Sequence, residues 1–239
     1  MQYQVTYFVD SQTIPQQKLL SYVKEPLANA QKVLKDDRRS LVFVVEYNGL
    51  LYVVKNPRDK NRRLWIRFLT LFRPSEAMMA LESMQTLLNL KIPTTKPIAC
   101  IEKRFLGIVL EGWMVYEYFE AEPISTKEIK SSLALLESIH SFGFLHGNPQ
   151  ELNFLHFDKK IATIDAKLTK VNQESVETWI EKIKFANSFI NPSDREAVRA
   201  LLDQKNPNFK KAKQKLHLRR LCKSPKHWFK GLLQGRLNK

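Results

Sequence analysis

Between Gly143 and Asp165 the chain reads GFLHGNPQELNFLHFDKKIATID, and its polar side chains are spaced for work on a charged, metal-bound group. Asn153 follows Asn148 by five residues, and Asp165 follows Asn153 by twelve. Far upstream, Lys55 closes the apolar run LLYVVK. Phosphoryl transfer asks a protein for a cation on phosphate oxygens, carboxylate and amide oxygens on Mg²⁺, and a group that orients the attacking hydroxyl. Lys55, Asn153, Asp165 and Asn148 are of the types for those tasks. At Asn148, however, an amide stands where a carboxylate would take the hydroxyl's proton, and an amide orients without acting as a base. Glu151 is the carboxylate of that loop that could substitute. Glu76 is the expected partner of Lys55, with Glu82 its rival; either acid also simply suits the early turns of a helix.

Composition bounds the partners. A chain of 239 residues can bury a sizeable core as one large or two small lobes. The sequence shows no apolar run of 18 residues and no basic start with an apolar h-region, so neither a membrane span nor a signal peptide is expected. Two cysteines, Cys100 and Cys222, make a disulfide framework improbable and point to a reducing cytoplasm. The net charge of +15 is uneven: Gln204 to Lys239 carries twelve Lys/Arg and no Asp/Glu. A second cluster, Arg58, Lys60, Arg62, Arg63, Arg67 and Arg73, is opposed by Asp59. Such surfaces suit an anionic partner: phosphorylated glycolipid, acidic phospholipid or nucleic acid.

The elements that must hold these side chains follow from pattern. Val5, Tyr7 and Val9 alternate like an edge strand, and Pro15 and Pro26 leave the rest of 1–29 without a clear assignment. Residues 31–34 suggest a strand. SLVFVVEY (40–47), Asn48-Gly49 and LLYVVK (50–55) read as a β-hairpin. Residues 60–72 suggest one basic helix with Leu64, Phe68 and Leu71 on one side. Residues 76–89 give a second helix with a stripe through Ala77, Leu81, Met84 and Leu88. Strands are expected at 97–102 and 108–119, then a helix over 127–142 built on Ile129, Leu133, Leu136 and Ile139. Helices over 174–189 and 193–202 follow, the latter with a Ser193/Glu196 capping box. The basic tail interleaves Leu216, Leu218, Leu221, Trp228, Phe229, Leu232 and Leu233 with its cations. Strands first and helices after argue for an α+β fold of two lobes. His140, His146 and His156 share a region, but without Cys pairs or an H-E-x-x-H spacing they make a weak zinc set. His146 is expected to pack or hydrogen-bond beneath the site.

In the segments LLYVVK (50–55), MVYEYFEAEPI (114–124), SIHSFGFLHG (138–147), NPQELNFL (148–155) and IATIDAK (161–167), the chain resembles the bacterial lipopolysaccharide core heptose kinases. These form a branch of the protein-kinase-like fold, and the likeness spans roughly residues 30–170. It implies an antiparallel-sheet N-lobe over 1–115, a mainly helical C-lobe over 116–204 and a basic amphipathic tail over 205–239. It also implies ATP and Mg²⁺ as cofactors, and a heptose of the inner core, on a lipid-linked oligosaccharide, as acceptor. Lys55 would contact the α/β-phosphates, Asn153 and Asp165 would hold Mg²⁺, and Glu117 to Phe119 would form the adenine-binding connection. The phosphate-covering loop would be KDDRRS (35–40), which has no glycine, though Arg38 or Arg39 can supply charge. The work would be done in the cytoplasm, peripheral to the inner membrane, with 205–239 on the anionic surface. Because of Asn148, a catalytically impaired nucleotide- or glycolipid-binding module is the alternative. A nucleic-acid-binding protein is the less favoured one.

Overall fold

The computed structural model describes residues 2–10, 13–158 and 160–219. Chain contacts divide it into two units: Met1–Ile124 with Leu152–Leu168, and Ser125–Glu151 with everything from Thr169 onward.

The first unit is built on strands that sequence pattern marks well. β1 (Gln2–Tyr7), β2 (Lys32–Asp36), β3 (Leu41–Tyr47), β4 (Leu50–Asn56), β5 (Pro97–Phe105) and β6 (Ile108–Glu117) form a six-stranded sheet of order β1-β5-β6-β4-β3-β2. Every pairing in it is antiparallel. The β3–β4 turn puts Asn48 at φ 53° and Gly49 at φ 75°, the left-handed pair that a two-residue hairpin needs.

Side chains alternate across this sheet. One face buries Phe43, Val45, Tyr52, Val54, Ile101, Trp113 and Val115 against Leu19 and Tyr22 of α1 (Gln16–Lys24). The other face packs Cys100 and Met114 on Ala77, Leu81 and Met84 of α4 (Glu76–Asn89). The segment between Pro15 and Pro26, unreadable as sequence, therefore supplies the helix that covers one side of the sheet. Ser75 starts α4 by accepting the Met78 N–H at 3.1 Å.

The basic segment before α4 departs from expectation. It forms two short helices, α2 (Arg58–Arg62) and α3 (Leu64–Leu69), broken at Arg63, whose ψ of 109° is extended. Leu64, Phe68 and Leu71 are exposed rather than packed inward. A small second sheet, β7 (Glu122–Pro123) on β9 (Phe154–Phe157) on β10 (Lys160–Thr163), also belongs to this unit. The boundary expected between 115 and 116 thus falls inside β6, and the β9–β10 hairpin goes with the sheet unit.

The second unit is mainly helical. α5 (Ile129–Ser141) buries Ile129, Leu133, Leu136 and Ile139, the stripe read from the sequence. It is followed by β8 (Phe144–Leu145), paired with β11 (Thr169–Lys170), then α6 (Val176–Ser188) and α7 (Pro192–Leu201). α7 starts two residues earlier than a Ser193 cap would allow: Asn191 caps it by accepting the Ser193 N–H, and Pro192 fills the first turn. Residues 207–219 form a further helix, α8. Phe209 of α8 meets Trp179 edge-on at 5.8 Å, and Lys215 pairs with Glu177. The first part of the expected tail is therefore packed on α6; Leu221, Trp228, Phe229, Leu232 and Leu233 lie outside the described residues.

Candidate active site

Within the first unit, strand register fixes Lys55. It pairs with Met114 across β4 and β6, so it projects on the α4 face of the sheet, one residue past fully buried Val54. Asp165 follows β10 at φ 55°, a left-handed backbone that Asp and Asn tolerate better than most residues. The chain before it is pinned. Thr163 is fully buried, its N–H donates to Pro93 C=O at 2.9 Å, and its carbonyl accepts from Thr94 Oγ1 at 2.7 Å. Buried Asn153 is tied to the same strand end, its carbonyl accepting the Ile164 N–H at 2.9 Å and Thr163 Oγ1 at 3.1 Å. The outcome is a direct ion pair between the Lys55 ammonium and the Asp165 carboxylate, with side chains 17% and 44% exposed.

Glu76 does not join that pair. Its carboxylate accepts from Lys167 Nζ at 2.9 and 3.1 Å and from Arg73 at 3.0 Å. Burial alone would raise its pKa, but the hydrogen bond and charge of Lys167, helped by Lys60 and Arg73, hold it below the ordinary value. Glu82 is exposed on α4 and pairs with no lysine among the described residues. Lys167 and Arg73, neither read from sequence as a partner of Glu76, thus own the acid expected to serve Lys55. Tyr116 is the other residue missed: burial, then the nearby Asp165 carboxylate, push its phenol pKa upward and keep it neutral.

The connection after β6 is ordered by backbone. The Glu117 N–H donates to Lys96 C=O, the Tyr118 N–H to Leu51 C=O, and Lys96 pairs with the Glu117 carboxylate at 3.4 Å. Phe119 lies against Phe157 of β9, ring centres 4.4 Å apart. The 35–40 turn is closed on itself. Asp37 accepts the Arg39 and Ser40 N–H groups, both at 2.7 Å, and these bonds, the Ser40 one foremost, lower its pKa. Two amides that could face a phosphate are thereby committed to a carboxylate.

Asn148 and Glu151 belong to the second unit, where the loop hangs on one buried acid. Glu181 of α6 accepts the His146 N–H at 2.8 Å, the Gly147 N–H at 2.7 Å and His140 Nε2 at 3.1 Å. Burial would raise its pKa, yet the bonds from His140, Gly147 and His146 outweigh that and lower it. His146 is fully buried, and its Nδ1 accepts the Asn148 N–H at 3.3 Å. Glu151 is drawn to the end of α6: its N–H donates to Ser188 Oγ at 2.8 Å, and its carboxylate accepts the Ile190 N–H at 3.3 Å. No group of three or more His, Cys, Asp or Glu gathers for a metal among the described residues. A metal here would be of the hard kind held by one carboxylate, an amide oxygen and phosphate oxygens, and Asp165 with Asn153 fits that donor set.

Among solved structures, the chain is similar to WaaP in complex with acyl carrier protein, with a TM-score of 0.52 at 15% identity, over 90% of this chain and 98% of that one. A Neurospora crassa PAN3 pseudokinase mutant scores 0.45 at 12% identity, covering 93% and 77% of the two chains. The Mycobacterium tuberculosis PknI kinase domain scores 0.39 at 14% identity, covering 59% and 58%. No protein-family model matches the chain, and no curated protein matches it. The fold is protein-kinase-like: an α+β chain with an antiparallel-sheet unit and a mainly helical unit.

Proposed function

We propose that the chain is an ATP-dependent phosphotransferase whose acceptor is a sugar hydroxyl, that of a heptose in the lipopolysaccharide inner core, met at the cytoplasmic membrane face. The observation that carries this reading is the Lys55–Asp165 pair, which joins a cation for phosphates to a carboxylate for metal inside one unit. In the reaction Lys55 would leave Asp165 for the α/β-phosphates of ATP, and Asp165 and Asn153 would hold Mg²⁺. Glu117 to Phe119 receive the adenine. Mg²⁺, when bound, supplies the charge that offsets the phosphate oxygens. Asn148 orients the acceptor hydroxyl, and in a loose transition state the proton leaves late, so a positioned amide gives a slow enzyme rather than none.

A second reading has its own support. Asn148 is no base, and the Glu151 carboxylate is engaged by the Ile190 N–H. Both favour a kinase-like module that binds nucleotide without turnover. The two separate in one assay: full-length chain with Mg·ATP labelled on the γ-phosphate, core oligosaccharide as acceptor, and Asn148→Asp beside wild type. Labelled product from wild type is expected, and the carboxylate raises turnover by about 10²-fold or more, the usual worth of a general base. Nucleotide binding with no transfer by either protein would establish the second reading instead.

A further inference from the structure

The residues between β4 and α4 form a surface that the nucleotide site does not use. No residue of α2 or α3 is buried, so this segment rides on the outside of the sheet unit. Its apolar side chains are large and exposed: Leu64 at 76%, Trp65 at 68% and Phe72 at 77%. Trp65 stacks on Phe68 at 6.5 Å, and Phe68 meets Phe72 at 5.9 Å, which makes one continuous aromatic row. The β5–β6 hairpin tip extends it. A Cβ on Gly107 would sit 3.2 Å from Leu71, and the adjacent Leu106 is 80% exposed. Isolated exposed apolar residues are ordinary; a contiguous row of this size marks an interaction site.

The rim of the row selects the partner. Six cations lie between Arg58 and Arg73 against Asp59 as the acid at that end of the segment. Among the described residues Arg62 and Arg67 make no salt bridge, whereas Arg58, Arg63 and Arg73 each hold one. Arg62 and Arg67 of the same segment also line a recess of about 540 Å³, to which Lys24 and Lys103 add positive charge. Its one acid, Glu111, is held by the neutral donors Tyr3, Asn56 and Trp113 and keeps its negative charge, which the four cations outnumber. A protruding aromatic row flanked by uncompensated cations needs no matching groove; it needs a soft apolar layer beneath a plane of anionic groups.

We propose that α2–α3 and the β5–β6 tip dock on an anionic phospholipid bilayer, Trp65, Phe68, Phe72 and Leu106 entering the interface while the recess takes a phosphate headgroup. This deepens the proposed function, on which it rests for the lipid-linked acceptor, by giving the sheet unit its own hold on the surface that carries that acceptor.

The test is sedimentation of the full-length chain with phosphatidylcholine vesicles, with and without phosphatidylglycerol. Wild type is compared with Trp65→Ser/Phe68→Ser/Phe72→Ser and with Arg62→Glu/Arg67→Glu. Affinity for the anionic vesicles should fall at least about tenfold in both variants, with the Mg·ATP thermal shift unchanged. In a Trp228→Phe background, brominated lipid should quench Trp65, since Trp113 and Trp179 are buried. Unchanged vesicle affinity in the aromatic variant, or no quenching of Trp65, overturns the proposal. So does wild type that captures an acidic soluble protein through this row and ignores vesicles. A wild type that binds vesicles but shows no Mg·ATP shift sinks the phosphotransferase reading alone.

Discussion

Lys55 and Asp165, which the fold joins in an ion pair, and the candidate Asn153 stand at positions that local rules mark in the sequence: the end of a hairpin strand, and fixed offsets along one loop. Partnerships across the fold are another matter. Glu76 opens α4 as its Ser75 cap requires, but the lysine it meets lies 91 residues on, at Lys167. Nothing local marks Lys167 as its partner, and the pairing depends on how the chain leaves Asp165. A double-mutant cycle decides which lysine holds this acid. Glu76→Gln with Lys167→Met should show a coupling of about 0.5–1 kcal/mol in urea unfolding, modest because the lysine is half exposed. The same cycle with Lys55→Met should show none. Coupling to Lys55 and none to Lys167 would reverse the assignment.

At the scale of elements, what the sequence made legible was the sheet and its helices, and what it hid were breaks and anchors. Asn48-Gly49 fixes β3 to β4, and the apolar stripe of α5 fixes its buried face. The split of α2 from α3 escaped because 60–72 has helical spacing throughout, while the packing that would make one helix of it is absent: its stripe faces solvent. Glu181 escaped because a lone acid within VETWIEKIKF reads as solvated. It is instead the buried acceptor of three hydrogen bonds, two of them from the backbone of the loop that carries Asn148.

That anchor has a pH signature. The folded-state pKa of Glu181 lies below its ordinary 4.5, so its stabilisation is complete above that value and is lost as pH falls through the folded one. Glu181→Gln leaves one loop amide facing a donor and should cost about 3 kcal/mol at neutral pH. Urea unfolding at descending pH should bring wild type and variant together in acid. A gap that stays constant down to the acid limit would mean that the carboxylate charge contributes nothing.

Taken as a whole, the molecule carries a net charge of +15, and the structure sorts part of it. Residues 207–219, read from sequence as the start of an anchoring tail, belong to the helical unit through Phe209 and Lys215. The cations around α2–α3 instead border exposed aromatic rings. A sequence shows where charge clusters but not which face of a short helix stays bare, because that depends on what the sheet already covers. The account as a whole rests on the sheet unit binding a metal-bound nucleotide through Lys55 and Asp165. A thermal-shift titration with Mg·ATP on wild type, Lys55→Met and Asp165→Asn tests it most directly; asparagine keeps the left-handed backbone at 165 while removing the charge. Wild type should show a saturable, Mg²⁺-dependent rise in melting temperature that both variants lose. A wild type that does not respond, or variants that respond as wild type does, would contradict the account.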